Sequence, residues 1–266
     1  MKLNDNLSLG FIGGGRVSYL LLEGLKRANK LPQKITVSDP NSSRKEIFTS
    51  IDATKIKFSV QNSDSLNSRI IFLAVHPPLL KEVLPQIKNN LPSDSILISL
   101  APVVKMTALK QLLGGFDRLV RMIPNAPSII GQGYNPVCFE NSVSESVKKD
   151  LQILFTTWGK CPEVDEEKLE AYAILTAMGP TYFWFQWLEL KRLGTQFNLS
   201  REEIYKSLNE MNLGASQLLF NSDYSTDEVL DMIPVKPLHE DEETIRQIMN
   251  SRLSGLYSKL TVKNKE

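Results

Sequence analysis

The chain has 266 residues, 42% hydrophobic and 23% charged, with a formal net charge of +1. That suits one large or two modest domains with a full core. The near-neutral balance gives no electrostatic footprint for nucleic acid or an anionic membrane surface.

Cys138 and Cys161 give no disulfide framework and no metal spacing. His76 and His239 are far apart and give no metal pair. The polar start (Lys2, Asn4, Asp5, Asn6) carries no signal-peptide pattern, so a reducing, cytoplasmic setting is expected.

The run Leu7-Ser8-Leu9-Gly10-Phe11-Ile12 reads as a short apolar strand. Gly13-Gly14-Gly15-Arg16-Val17-Ser18 follows at once, and Tyr19-Leu20-Leu21 begins a helix. In that context a G-x-G-x-x-(small) run means dinucleotide binding. Gly13 permits the tight turn, and Gly15 lets the backbone approach a pyrophosphate. Ser18 is small enough for helix–strand packing, although Gly or Ala is usual there. The helix's first N–H groups and the positive end of its dipole would face the phosphates. Lys34-Ile35-Thr36-Val37-Ser38-Asp39 reads as a second strand ending in an acid. Asp39 follows Gly15 by 24 positions, near the spacing of a ribose-hydroxyl acceptor. Asp39 favours NAD, whereas Ser42, Ser43 and Arg44 favour the 2′-phosphate of NADP. The residues leave that choice open.

Residues 69–75 (RIIFLAV) form a continuous apolar run, as in a strand covered on both faces. Pro77-Pro78 ends it and opens a helix over 79–87. His76 then follows a sheet strand at its carboxyl edge, where ligands bind in open α/β sheets. Residues 95–100 read as another buried strand. A short helix over 106–113 closes at Gly114-Gly115. Residues 118–122 form the next strand, stopped by Pro124, and 134–139 a further one. Asn125, between Pro124 and Pro127, reads as a loop residue with a free amide. The alternation predicts α/β architecture with a doubly wound parallel sheet.

From about Val143 helical periodicity dominates: 143–156, 166–178, 180–193, 201–220 and 240–260. Ser200 with Glu203 has the pattern of a capping box, and Ser225-Thr226-Asp227-Glu228 looks like another helix start. The tail 259–266 is charged and expected to fray. The predicted boundary falls near Gly159-Lys160-Cys161-Pro162. It divides an NAD(P)-binding α/β domain (1–160) from an all-helical domain (161–266). Residues 171–188 carry no charge, near the lower limit for a bilayer span. Gly179-Pro180 mid-way and flanking acids favour a buried helix pair instead. Tyr182, Phe183, Trp184, Phe185 and Trp187 crowd one helix. Only ~100 residues are available to cover it, which favours burial against a partner subunit over a plain core helix.

Together these segments resemble the pyrroline-5-carboxylate reductase family. Gly10-Phe11-Ile12-Gly13-Gly14-Gly15 looks like its GFIGxG opening. Ala74-Val75-His76-Pro77-Pro78 sits where the family has AVKPQ, and Ser99-Leu100-Ala101-Pro102-Val103-Val104 matches SIAAGV loosely. Arg121-Met122-Ile123-Pro124-Asn125-Ala126-Pro127 is close to RxMPNTP. Glu166-Glu167 and Thr176-Ala177-Met178-Gly179-Pro180-Thr181-Tyr182 stand where the family has EE and SGSGPAY. The resemblance runs in order over roughly residues 7 to 220.

The resemblance implies a Rossmann domain followed by a helical domain that forms a homodimer through interlocking helices. It implies reduction of a cyclic imine, pyrroline-5-carboxylate, to proline with NADPH or NADH. It further implies that Pro124 and Asn125 border the nicotinamide, and that Ala74, Val75 and Pro77 line the cofactor's path. The departures concern the substrate. The family's SPGGTT loop is replaced by Asp231-Met232-Ile233-Pro234-Val235-Lys236-Pro237-Leu238-His239, and the central Ser of SGSGPAY is Met178. Lys236, stiffened by Pro234 and Pro237, reads either as a carboxylate anchor or as a solvated surface lysine. His239, Tyr182, Thr176 and Thr181 are the candidate proton donors. The rewritten loop keeps two alternatives open: a same-fold oxidoreductase on another small imine or carbonyl, or a cofactor-binding regulatory protein without turnover.

Overall fold

The protein is described by a computed structural model over residues 7–262; the polar stretch 2–6 and the end of the charged tail, 263–266, lie outside the described residues. The chain forms two compact units. One runs to Met178 and takes in the chain again from Tyr257; the other is Gly179–Leu256.

The first unit begins with β1 (Ser8–Ile12), α1 (Arg16–Arg27), β2 (Lys34–Ser38), α2 (Lys45–Thr49), β3 (Ile56–Ser59) and α3 (Asn62–Leu66). It continues with β4 (Ile70–Leu73), α4 (Leu80–Ile87), β5 (Ile96–Ser99), α5 (Met106–Leu112) and β6 (Leu119–Met122). Then come β7 (Gly133–Tyr134), β8 (Val137–Phe139), α6 (Glu145–Phe155), β9 (Gly159–Lys160), α7 (Leu169–Tyr172) and a π-helical turn, Ala173–Ala177. Seven strands form one sheet in the order β3-β2-β1-β4-β5-β6-β8. Its first six strands are parallel, and β8 closes the edge antiparallel to β6. The expected doubly wound sheet is present.

Every residue of β4 and β5 is buried, because helices cover both faces of the sheet. The pleat sends alternate side chains to opposite layers. Phe11, Phe72, Ile98 and Val120 pack with Trp158 on one side, and Ile12, Leu73, Leu97 and Leu119 pack on the other. Phe11 stacks on Phe72 with ring centroids 4.6 Å apart, and Phe72 meets Trp158 edge-on at 6.0 Å. Trp158 is fully buried, and its Nε1 donates to the Leu21 carbonyl at 2.8 Å. That bond fixes α1 against the sheet. Gly24 allows the approach: a Cβ there would lie 2.8 Å from Trp158 Cδ1 and 2.9 Å from the Ser128 carbonyl oxygen.

Some elements depart from the sequence reading. The segment 42–66, which gives α2, β3 and α3, carried no predicted element. Its strand is a four-residue edge strand with one fully buried position, too little for a period-2 signal. The strand expected over 134–139 is split. Tyr134 pairs with β9 and 137–139 with β6, on either side of Pro136, which cannot donate to a ladder. The first unit also passes the boundary expected at 160, because Leu169 and Ala173 sit in its core.

The second unit is helical: α8 (Pro180–Gln196), α9 (Arg201–Asn221), α10 (Thr226–Asp231) and most of α11 (His239–Val262). The expected capping box of Ser200 with Glu203 is formed, and the helix start expected at Ser225 also carries one, with Glu228. The helix pair over 171–188 breaks at Gly179-Pro180, as the dipeptide implied. It is not the buried pair expected: α8 buries only Gly194 within this chain. Among the described residues no helix is long and apolar enough to cross a membrane.

Gly24→Ala is expected to destabilise the first unit by about 1–3 kcal/mol through overpacking against Trp158. Urea unfolding followed by tryptophan emission checks it.

Candidate cofactor site

The carboxyl ends of β2, β1 and β4 meet at one edge of the sheet, and their loops interlock. Gly13 adopts φ +104° and donates its N–H to the Ser38 carbonyl at 2.8 Å. A Cβ there would lie 2.6 Å from the Ala74 carbonyl oxygen, so only glycine fits. Gly14 donates its N–H to Asp39 Oδ2 at 2.7 Å, and a Cβ on it would meet Asp39 and the Phe48 ring at 3.1 Å. The Ser18 hydroxyl donates to the Gly13 carbonyl at 2.5 Å, which explains a polar small residue where Gly or Ala is usual.

Gly15 differs from its neighbours. A Cβ there would meet nothing within 4 Å, so the space over it is open. Gly15 is also the N-cap of α1, and no side chain caps that helix. The first amides of α1 therefore face open space with the positive end of the helix dipole behind them. An anionic pyrophosphate fits this cradle, while Gly13, Gly14 and Ser18 are used in building it. Arg16 is exposed and Val17 half-buried at its rim.

Asp39 does more than the sequence implied. Its Oδ2 takes the Gly14 amide and its Oδ1 takes the Asn41 amide at 2.8 Å. The acid therefore organises both loops, and each oxygen keeps a further lone pair for a ribose hydroxyl. Asn41 was missed by sequence reasoning. Its Oδ1 accepts from Ser43 N at 3.1 Å and Ser43 Oγ at 2.7 Å, and so it shapes the turn that carries Ser42, Ser43 and half-exposed Arg44. The two-residue offset of Asn41 from Ser43 was the readable signal.

After β4, the Ala74 amide donates to the Ile12 carbonyl at 2.8 Å. Ala74, Val75 and Pro77 are half-buried, and His76 is exposed. Ala74 and Val75 pack against the Gly13 turn along the same edge.

Asn125 requires a correction: its amide is not free. Its Oδ1 accepts from the Tyr134 amide at 3.2 Å, and its Nδ2 donates to the Thr176 carbonyl at 3.2 Å. Its own backbone N–H donates to Asn135 Oδ1, which also accepts from Ser128 Oγ. The sequence holds the reason. Pro180 has no N–H to give the carbonyl four residues back, which is Thr176, and Asn125 supplies that bond. Pro124 precedes it half-buried. Thr176 is thus brought beside Asn125, with its own hydroxyl donated to the Tyr172 carbonyl at 2.8 Å.

The other proposed donors belong to the second unit. Burial raises the pKa of half-buried Tyr182 above the usual phenol value. Lys236 lies just ahead of α11 and His239 opens it; both are exposed, joined by a bond from the His239 amide to the Lys236 carbonyl at 3.0 Å.

A charged cluster also escaped the sequence reading. Arg121, on β6, is fully buried. Its Nη1 donates to Glu166 Oε1 at 2.7 Å and its Nη2 to Glu170 Oε1 at 2.8 Å. The same two oxygens accept the amides of Met106 (2.7 Å) and Val103 (3.2 Å). Burial, with a smaller contribution from Glu166, pushes the neighbouring Cys138 thiol up to about 12. An arginine inside the strand LVRM was the signal that a carboxylate must cover it. Among the described residues no His, Cys, Asp and Glu cluster could hold a metal ion.

Sheet order, glycine turn and acid-tipped second strand define a Rossmann-type α/β protein with a helical C-terminal unit. Residues 8–102 match the family described as NADP oxidoreductase, coenzyme F420-dependent. A pyrroline-5-carboxylate reductase of Pisum sativum is 28% identical over 218 residues, covering 81% of this chain and 78% of that one. The Haemophilus influenzae enzyme of the same name is 24% identical, over 79% and 78%. In fold, the chain is similar to Plasmodium falciparum pyrroline carboxylate reductase with NADP bound. That TM-score is 0.82, at 23% identity over 98% and 99% of the two chains. The Streptococcus pyogenes 1-pyrroline-5-carboxylate reductase gives 0.79, at 20% identity over 96% and 98%. Over about four fifths of its length the chain is thus similar to enzymes named pyrroline-5-carboxylate reductase, and it shares their fold.

Asn125→Ala leaves the Tyr134 amide and the Thr176 carbonyl without their partner. The expected loss is about 1–3 kcal/mol of stability for a buried group left unsatisfied, read by denaturant titration. A loss below 0.5 kcal/mol, the scale of a surface substitution, would mean that water replaces the amide.

Proposed function

We propose that this protein is an NAD(P)H-dependent reductase that converts 1-pyrroline-5-carboxylate to L-proline. The observation that carries the reading is the preformed cradle at Gly15, in a chain that aligns over 81% of its length with a relative named for that reaction. Bound NAD(P)H would supply the hydride for the imine carbon. The C=N electron pair then passes to nitrogen, which must take or already hold a proton.

The chain's part is to hold, orient and protonate. Gly15, Arg16 and Val17 take the pyrophosphate, on the turn that Gly13 and Gly14 build. Asp39, Ser43 and Arg44 take the adenosine ribose, and the Asn41-shaped turn favours NADP over NAD. Ala74, Val75, His76 and Pro77 line the middle of the cofactor. Pro124 and Asn125 border the ring as a fixed wall, with the Asn125 amide engaged behind it. Tyr182 is the preferred proton donor: a phenol carries its proton at neutral pH, and burial raises its pKa further. Thr176 is the weaker candidate because its hydroxyl is committed to Tyr172. Lys236 anchors the substrate carboxylate in place of the lost hydroxyl loop, with His239 beside it. The buried thiols of Cys138 and Cys161 suit a reducing, cytoplasmic setting.

The rewritten stretch 231–239 supports a second reading, in which the same scaffold reduces another small imine or carbonyl or binds the cofactor without turnover. Oxidation of NADPH and NADH with 1-pyrroline-5-carboxylate separates the readings. Turnover is expected, with Lys236→Ala raising the substrate KM about tenfold, the scale of one charge-assisted contact, and leaving cofactor KM unchanged. Tight cofactor binding without turnover would sink the first reading, and an unaltered substrate KM would remove Lys236 from the site.

The functional form is a homodimer built through the second unit. There Phe183, Trp184, Trp187, Leu188, Leu208 and Phe220 line an apolar groove of about 1050 Å³. Phe220 is 77% exposed and Phe185 66%, more apolar surface than a monomer commonly leaves bare. Light scattering is expected to give twice the chain mass, reverting to one with Trp184→Glu. A monomeric wild-type protein at micromolar concentration would refute the dimer.

A further inference from the structure

Among the described residues, three non-glycine residues have positive φ: Asn29, Asn198 and Val103, the last at +80°. Asparagine visits this region readily, but a β-branched side chain crowds the backbone there. Such a conformation persists only where its surroundings over-determine it. The surroundings of Val103 do so. Its N–H donates to Glu170 Oε1 at 3.2 Å, and Glu170 is 2% exposed and held by Arg121. Three residues on, Met106 is tied in the same way to Glu166, on the other arm of the same guanidinium. One buried arginine therefore grips two carboxylates, and each carboxylate grips one end of the segment 103–106.

The place of this segment gives the strain a purpose. It follows β5 at the carboxyl edge of the sheet, one strand beyond the Ala74–Pro77 loop, and the Leu100 amide donates to the Leu73 carbonyl at 3.0 Å. In a doubly wound sheet the β1–β3 half takes the adenosine side of a dinucleotide and the β4–β6 half takes the other nucleotide. We infer that Glu170 is a positioning residue for the nicotinamide half of the site. It holds Val103 left-handed, so that the loop after β5 presents a preorganised backbone to the ring. The inference rests on the reading of this edge as an NAD(P) site.

The test uses the full-length protein and two probes, NADPH and ADP-ribose, the second lacking the nicotinamide. Glu170→Ala removes the acceptor. Val103→Pro removes the N–H and fixes φ near −65°, leaving the Arg121 cluster intact. Each is expected to weaken NADPH binding about tenfold through lost preorganisation, while ADP-ribose affinity stays within twofold. Val103→Gly in the Glu170→Ala background is expected to restore NADPH affinity, because glycine holds positive φ without the clamp. Equal loss for both probes, no loss for NADPH, or no rescue by glycine would overturn the inference. Wild-type protein that binds neither probe would instead overturn the NAD(P) reading on which it stands.

Discussion

A fully buried arginine is the constraint around which the first unit is arranged. Arg121 sits on a strand that packs among apolar neighbours, where an unpaired charge would not be tolerated. Glu166 and Glu170 meet it from 45 and 49 residues away. Covering the charge draws the chain after β9 back over the sheet. The Asn125–Thr176 bond is possible only because the return brings the Thr176 carbonyl beside the loop after β6. The pair's energetic worth as an ion cluster is secondary to what it determines, the path of some 20 residues of chain.

The cofactor edge shows a division of labour among similar residues. Three glycines in a row look interchangeable in the sequence, yet each answers a different demand. Gly13 meets a carbonyl, Gly14 meets a carboxylate and a ring, and Gly15 meets open space. Only the last leaves room for a ligand. Asp39 likewise spends a lone pair on each of two loops before any ribose arrives, so the acid builds the site as well as serving it.

What the sequence made legible was local. The strand–glycine–helix start, the apolar strands 69–75 and 95–100, the box at Ser200 and the helix start at Ser225 all rest on residues within a few positions of each other. Illegible parts depend on distant partners. Nothing near Asn125 announces that its amide goes to Thr176, and nothing near Val103 announces Glu170. Helical periodicity begins near 143, but the first unit runs on to Met178 because Leu169 and Ala173 pack into its core. The short edge strand β3 was missed because one buried position makes no pattern. Lys236 and His239 were read as neighbours and are bonded through their backbones across the start of α11.

The three tryptophans are distributed in a way that has a practical consequence. Trp158 is sealed between the sheet and α1, with its indole N–H fixed on that helix. Trp184 and Trp187 line the open groove of the second unit. In the single chain, emission at short wavelength therefore comes from the interior of one unit and emission at longer wavelength from the groove of the other, and pairing through that groove would move the second toward the first. The colour of the protein's own fluorescence distinguishes an event at the cofactor helix from one on the helical groove, with no label introduced.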